Sequence, residues 1–379
     1  MFLLICCFFY FAFKLYKVSN YKYAILFILL AGFSLRLFAG ADLFLHEWDE
    51  RYHALVAKNL IKHPLTPTLY DDPVLDYDYK DWMRNNVWLH KPPLALWLMA
   101  LSMKLFGINE IALRLPGITL STIAIFFTYY IGAYIFNNKV GLLAASFHAI
   151  NGFLIQLASG KRATDHIDSI FCFFIELGIF LSVVYLKKKN NLIIFLLIGI
   201  TTGLAVLTKW LPGLLVIAVW YALIFRKENY KIITCKLMAL FIISLAVFLP
   251  WQFYIHYSFP NEASWENHYN LIHTFKAVEG HTGSIFYYIG YMPKIFSYLI
   301  YIPIGWFFLV LVKQNRDYKL IPIAVWFFLP YLFFSLVATK MRAYVMISAP
   351  AVFLIEAYLW WSLKECGYNP KYKKFRYAL

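Results

Sequence analysis

Four short groups of ionisable residues interrupt a chain that is otherwise poor in charge. The first is Trp48-Asp49-Glu50-Arg51-Tyr52-His53, two adjacent carboxylates just past an apolar run. The second is His90-Lys91-Pro92-Pro93-Leu94, whose double proline fixes the chain direction and opens a helix, Pro being favoured in a first helical turn. Lys91 then lies near a helix N-terminus, a place that welcomes an anion. The third is Lys161-Arg162-Ala163-Thr164-Asp165-His166-Ile167-Asp168, in which Asp165 and Asp168 are three apart and share a helix face. The fourth is dispersed: Lys209, His281 and Thr339-Lys340-Met341-Arg342. Carboxylates so placed can move protons, and gathered cations can hold an anionic group. Plainer uses exist too: the aspartates as first-turn acids of helices, Lys91 as a lysine snorkelling to a membrane surface.

The elements that must position these groups are membrane helices. Of 379 residues, 62% are hydrophobic and 15% charged, and the mean hydropathy is +0.62. Soluble domains average roughly 45–50% apolar and 25% charged, so the chain lacks the polar surface of a soluble fold and is too hydrophobic for disorder. It reads as an all-α polytopic membrane protein. The net charge of +15, from 35 Lys+Arg against 20 Asp+Glu, follows from basic cytoplasmic loops and does not call for a nucleic-acid partner. Five cysteines form neither a disulfide framework nor a metal-type spacing.

Ten runs are apolar enough to span: 22–40, 112–135, 140–159, 168–186, 192–208, 211–225, 237–256, 285–312, 320–338 and 343–363. An N-terminal hydrophobic segment, 1–20, holds a run over 2–16 that is an eleventh span, an interfacial helix or a signal-like segment. Lysine and arginine fall in alternate connections: Lys14, Lys17 and Lys22, then Lys139, Lys187 to Lys189, Arg226 to Lys236, Lys313 to Lys319, and a basic tail over 364–379. Those connections are therefore cytoplasmic. The others face outward, and two are large: 41–111, rich in Asp and Glu, and 257–284, with Glu262, Glu266, Glu279, His268, His273 and His281, and His256 at its edge. Residues 94–106 are apolar but too short to span, and are expected as a helix on the outer surface; 50–62 is a second such candidate. All four ionisable groups then lie on the outer face, where membrane-edge charge marks a functional site.

Taken in order, these elements resemble the GT-C class of membrane glycosyltransferases, closest to the aminoarabinose-transferase (ArnT-like) and protein O-mannosyltransferase (PMT, glycosyltransferase family 39) group. The resemblance runs from 22 to 355. It rests on Asp49-Glu50, the KPPL element of Lys91 to Leu94, Arg114-Leu115-Pro116, Ala163-Thr164-Asp165, Leu207-Thr208-Lys209, and the series Ser335, Lys340, Tyr344, Pro350. Departures are Tyr52 where the ArnT-like group has Arg, His90 where it has Glu, no proline between Thr164 and Asp165, and no counterpart of the extra C-terminal spans.

The resemblance implies a GT-C bundle of ten or eleven helices over 21–363 and a polyprenyl-phosphate-linked sugar donor. It implies a lipid, glycan or protein acceptor and transfer on the outer face, by default of a bacterial inner membrane, with inversion. Asp49 is then the expected base, with Glu50 beside it and Asp165 orienting the acceptor or a basic neighbour. Lys91, with Lys209, Lys340 and Arg342 behind it, is expected to meet the leaving phosphate. Asp168 and Tyr344 are expected to orient substrate. A divalent metal is an open expectation, with His90 and His281 as mixed N/O ligands beside Asp49 or Glu50. Against the enzyme stand a transporter or flippase of a lipid-linked sugar, which would place charges such as Arg36, Glu176 and Glu356 at midspan, and an assembly protein without a site.

Overall fold

The computed structural model describes all residues except 82, 165, 189–190, 314–317 and 369–379, and only the backbone of 366–368. Asp165 and most of the predicted tail thus lie outside the described residues. Helix α1 (Phe2–Lys17) turns at Ser19, φ 59°, and packs against α2 (Tyr21–Ala39). After a loop come the short helices α3 (Asp49–Leu60) and α4 (Pro93–Phe106). The bundle continues with α5 (Glu110–Ile135), α6 (Asn138–Ile150), α7 (Gly152–Ala158), α8 (Asp168–Lys187) and α9 (Leu192–Lys209). A 3-10 turn over Leu211–Leu214 leads into α10 (Leu215–Ile224), then α11 (Tyr230–Ser258) and α12 (Pro260–Phe275). Helices α13 (Tyr287–Ile295), α14 (Tyr301–Lys313), α15 (Ile321–Leu336) and α16 (Ala349–Tyr368) complete it.

Asparagine starts many of these helices. The side chains of Asn109, Asn137, Asn151, Asn191 and Asn229 each accept a hydrogen bond from a first-turn amide, the preferred way to satisfy an orphan helix donor.

Among the described residues, seven helices are long and apolar enough to cross a membrane, and α6 with α7 makes an eighth, bent by 57°. This is fewer than the ten expected. The run 211–225 yields an apolar helical piece, Leu211–Ile224, and 285–312 is not one helix but two, α13 and α14. Pro303 lies in the first turn of α14, where proline starts a helix and cannot continue one from upstream. The alternation of direction still holds through the short piece. It begins beside Lys209, which pairs with Asp168 at the start of α8, and ends near Arg226, which shares a pocket with Tyr134 at the far end of α5.

Two midspan charges are fasteners of the bundle. The bend between α6 and α7 frees carbonyls at the α6 end. Arg36, fully buried on α2, donates to the Ala149 and His148 carbonyls at 3.2 and 3.4 Å and to Ser121 Oγ at 2.9 Å. Glu176 accepts from Thr128 Oγ1 at 3.1 Å, and Thr128 in turn bonds His148 Nδ1 at 2.9 Å. Four helices are joined at this depth, where lipid offers no substitute partner.

Candidate functional site

The expected site residues gather at the end of the bundle where α2 ends and α5 and α8 begin. Its foundation is Arg114, on the first turns of α5 and fully buried. It donates to both carboxylate oxygens of Glu50, 2.6 Å from Nε and 3.0 Å from Nη2, and to the carbonyls of Gly40, Asp42 and Phe44. Glu50 also accepts from the His46 amide at 2.6 Å and is paired with its ring at 2.8 Å. Burial alone would raise the Glu50 carboxyl; the Arg114 and His46 contacts outweigh it and hold it below the usual carboxylate range. Gly160, at φ +70°, packs flat on this carboxylate, where a Cβ would overlap it. Glu50 is therefore spent on holding the loop 40–46 and cannot reach a substrate, a correction to its expected catalytic place.

Asp49 points elsewhere. It opens α3, is half-buried, and its amide donates to the Ala163 carbonyl at 3.0 Å, tying α3 to the segment before α8. Four residues on, His53 is buried and stacked on His166, Nδ1 to Nδ1 3.2 Å, with Trp88 at its edge. Burial pushes both imidazoles below their ordinary value, and neighbouring charge adds to this only at His53. His53 feels His166, Lys91, His90 and Lys209, while Glu50 and Asp49 act on His166 in the opposite sense. Lys91 is half-buried and, among the described residues, has no carboxylate within ion-pair distance.

Lys209, Asp168 and Tyr344 form one unit. Lys209 pairs with the buried Asp168 at 2.5 Å and lies over the Tyr344 ring, 4.8 Å from its centroid. Lys340 is used differently. Its ammonium donates to the carbonyls of Phe334 and Ser335, at 2.9 and 2.7 Å, and to that of Val337, so all three protons cap the end of α15. Its expected phosphate role is corrected to a structural one. The backbone around it is stitched to the second large loop, Lys340 to His281 and Thr339 to His273.

A pocket of about 250 Å³ opens beside this stitch, lined by Arg162, Thr164, His281, Tyr287, Lys340 and Arg342 among others. Arg162 lies over Phe153, and among the described residues its buried Nε has no hydrogen-bond partner. Arg342 stacks on Tyr291 and donates to its hydroxyl at 3.1 Å. Burial and the charge of Arg342 both push the Arg162 guanidinium down. Among the described residues neither arginine has an ion-pairing carboxylate, and two such cations turned on one space make an anion-binding wall.

The described residues do not bring the expected metal ligands His90 and His281 together. His90 faces Glu266 at 3.4 Å, whereas His281 sits among the cations of the arginine pocket with Glu279 at 4.0 Å. Among the described residues, no three of His, Cys, Asp and Glu gather as a metal would need.

The fold and this arrangement have known counterparts. The family model "Dolichyl-phosphate-mannose-protein mannosyltransferase" (PMT_2) matches residues 90–254. ArnT from Cupriavidus metallidurans, solved with undecaprenyl phosphate, superposes with a TM-score of 0.67 at 16% identity, over 91% of this chain and 60% of its own. The chain has the GT-C fold, and its sequence is PMT-like. The archaeal oligosaccharyltransferase AglB from Archaeoglobus fulgidus shares this GT-C fold, TM-score 0.61 at 14% identity, over 94% of this chain and 52% of its own. An uncharacterised Aquifex aeolicus protein is 28% identical over 316 residues, 82% of this chain and 58% of its own. A Pseudomonas fluorescens undecaprenyl phosphate-α-4-amino-4-deoxy-L-arabinose arabinosyl transferase is 23% identical over 272 residues, 68% of this chain and 46% of its own. The chain spans about half the length of the curated relatives it matches.

Within this GT-C bundle the structure brings together Asp49, Lys91, Lys209, Asp168 and Tyr344, and sets Arg342 in the adjoining pocket. His53, His166 and Arg162 went unassigned in the sequence reading. A signal for His53 exists: it stands four residues after Asp49, one helical turn along α3.

Proposed function

We propose that the chain is a membrane glycosyltransferase, moving a sugar from a polyprenyl-phosphate carrier to an acceptor at the outer face of a bacterial inner membrane. The observation that carries this reading is the gathering at one end of the bundle of the half-exposed Asp49, tied by its amide to Ala163, the stacked His53–His166 pair and the Lys209–Asp168 ion pair. The fold shared with ArnT and AglB supports it, as does the Pseudomonas relative, named for the transfer of an arabinose derivative from undecaprenyl phosphate. The outward orientation is supported by the lysine-rich connections at the opposite end of the bundle.

The chemistry is a single displacement. An acceptor hydroxyl attacks the anomeric carbon and gives its proton to Asp49. The bond from that carbon to the phosphate oxygen breaks, and the carrier phosphate leaves with its electron pair and inverts the anomeric centre. Lys91, which has no ion pair among the described residues, meets the growing negative charge. Lys209 is held in place by Asp168 and Tyr344 and serves as a fixed second cation. Arg342 and Arg162 extend the cationic wall. A lipid, glycan or protein acceptor is compatible with this chemistry.

The test is to incubate the purified protein with a panel of radiolabelled polyprenyl-phosphate sugars beside Asp49→Asn. Consumption by the wild type alone is expected. Equal consumption by both removes Asp49 as the base, and no consumption of any donor ends the transferase reading.

A further inference from the structure

A second cavity lies far from the site just described. It is an apolar groove of about 810 Å³ between α1, α6 and α16, walled by Phe13, Leu143, Phe147 and Trp360 among others. Its position along the bundle follows from chain direction. Helix α5 begins at the Glu50–Arg114 knot and runs 26 residues to Ile135, about 39 Å at 1.5 Å per residue, and Lys139 follows directly. The groove therefore opens at the opposite end from Asp49, where the lysine-rich connections cluster.

One end of the groove is polar in a specific way. Lys139 and Lys364 both line it, and their ammonium groups lie 5.0 and 6.0 Å from the centroid of the Trp361 ring. Among the described residues neither lysine has an ion pair or a hydrogen bond to its side chain. A third ammonium, that of Lys17, lies 4.6 Å from the ring of Phe13 in the groove wall. Two like charges meet at one mouth, over a ring face that attracts cations, and among the described residues no acidic side chain lines the groove. Below them the walls are aliphatic and aromatic.

We propose that this groove is a binding site for one anionic phospholipid, with its acyl chain along the apolar walls and its phosphate between Lys139 and Lys364. Charge complementarity selects this occupant: the mouth needs an anion and the floor needs a hydrocarbon, and an anionic lipid of the neighbouring leaflet supplies both. Basic clefts between membrane helices on the lysine-rich side are suited to such headgroups, and the paired tryptophans suit the headgroup level. The site is independent of the transferase reading, since none of its residues touches Asp49 or its neighbours.

Native mass spectrometry of the detergent-purified protein tests the site. The probes are phosphatidylglycerol and phosphatidylcholine vesicle lipids of the same chain length. Wild type is expected to retain one phosphatidylglycerol per chain at concentrations where phosphatidylcholine is not retained. The double variant Lys139→Gln/Lys364→Gln should weaken phosphatidylglycerol about tenfold or more, while Lys231→Gln, on α11, should leave it unchanged. Leu143→Trp, which fills the groove and keeps the lysines, should also reduce retention. Equal retention of the two lipids, or retention that ignores both groove variants, overturns the proposal. So does a second copy of the chain covering the groove, seen as a dimer that Leu143→Trp dissociates.

Discussion

Two arginine environments sit within one end of the bundle, and they are built on opposite principles. Arg114 is fully buried and every face of its guanidinium is answered, by Glu50, by three loop carbonyls and by the His46 ring. Among the described residues, Arg162 and Arg342 are met by aromatic rings and a tyrosine hydroxyl, around an open pocket. A charge whose partners are all internal contributes to folding. A charge left facing a space keeps its field for what enters that space. The same division separates neighbours in sequence: Glu50 belongs to the first kind and Asp49 to the second.

Breaking the closed environment should have the largest effect. Removing one partner of a buried pair costs about 3–5 kcal/mol, so Glu50→Ala or Arg114→Ala should lower the Tm of the detergent-solubilised protein sharply and reduce its yield. A variant of either residue with a wild-type Tm would mean the knot does not hold the loop. Asp49→Asn comes next. We predict a fall in turnover of roughly 10²- to 10⁴-fold, the usual worth of a general base, at an unchanged Tm. If Tm falls with activity, the distinction between Asp49 and Glu50 collapses.

Opening the arginine pocket further should act on substrate and not on stability. Arg162→Ala or Arg342→Ala is expected to raise the KM for an anionic substrate about tenfold, the scale of one hydrogen bond to a charged group. Tm should stay the same or rise, because a like-charge contact is relieved. A lower Tm with an unchanged KM would place these arginines with Arg114.

The smallest effect is a pH dependence. His53 and His166 titrate below the ordinary imidazole value of 6.5 in the folded protein, chiefly because they are buried. Below 6.5 the unfolded chain takes up protons that the folded one refuses, so their contribution to stability is complete above that value and is lost as pH falls through it. Tm should drop between pH 7 and 5, and His53→Phe should flatten the drop. An unaltered slope in that variant would remove His53 from the cause.

Much of this was legible in the residues. Apolar runs located the bundle, lysine placement gave its alternation, and HKPPL announced α4. Hydropathy could not see that Pro303 would divide 285–312, because a window average is blind to where a helix can start. Glu50 was misread as a reacting group although its phase was visible: Glu50, Ala54 and Ala57 recur at i, i+4 and i+7, the buried stripe of α3. Its partner Arg114 stands 64 residues away, and no local pattern reports such a pairing. Lys340 looked like a free cation because the carbonyls it answers exist only once α15 has ended. The functional weight of Asp165 still rests on sequence alone.

The bond from the Asp49 amide to the Ala163 carbonyl has a wider consequence. Asp49 is anchored on one side by backbone leading into α8 and on the other by its neighbour's grip on α5. Its alignment is thus set apart from the loop 70–86, which ends before Trp88 and Lys91. That loop can vary in length or rearrange around differently shaped acceptors while the proposed proton-accepting atom stays put. Choice of acceptor and execution of the reaction become separable modules, so grafting a foreign 70–86 segment onto this scaffold should redirect what is modified without resetting how.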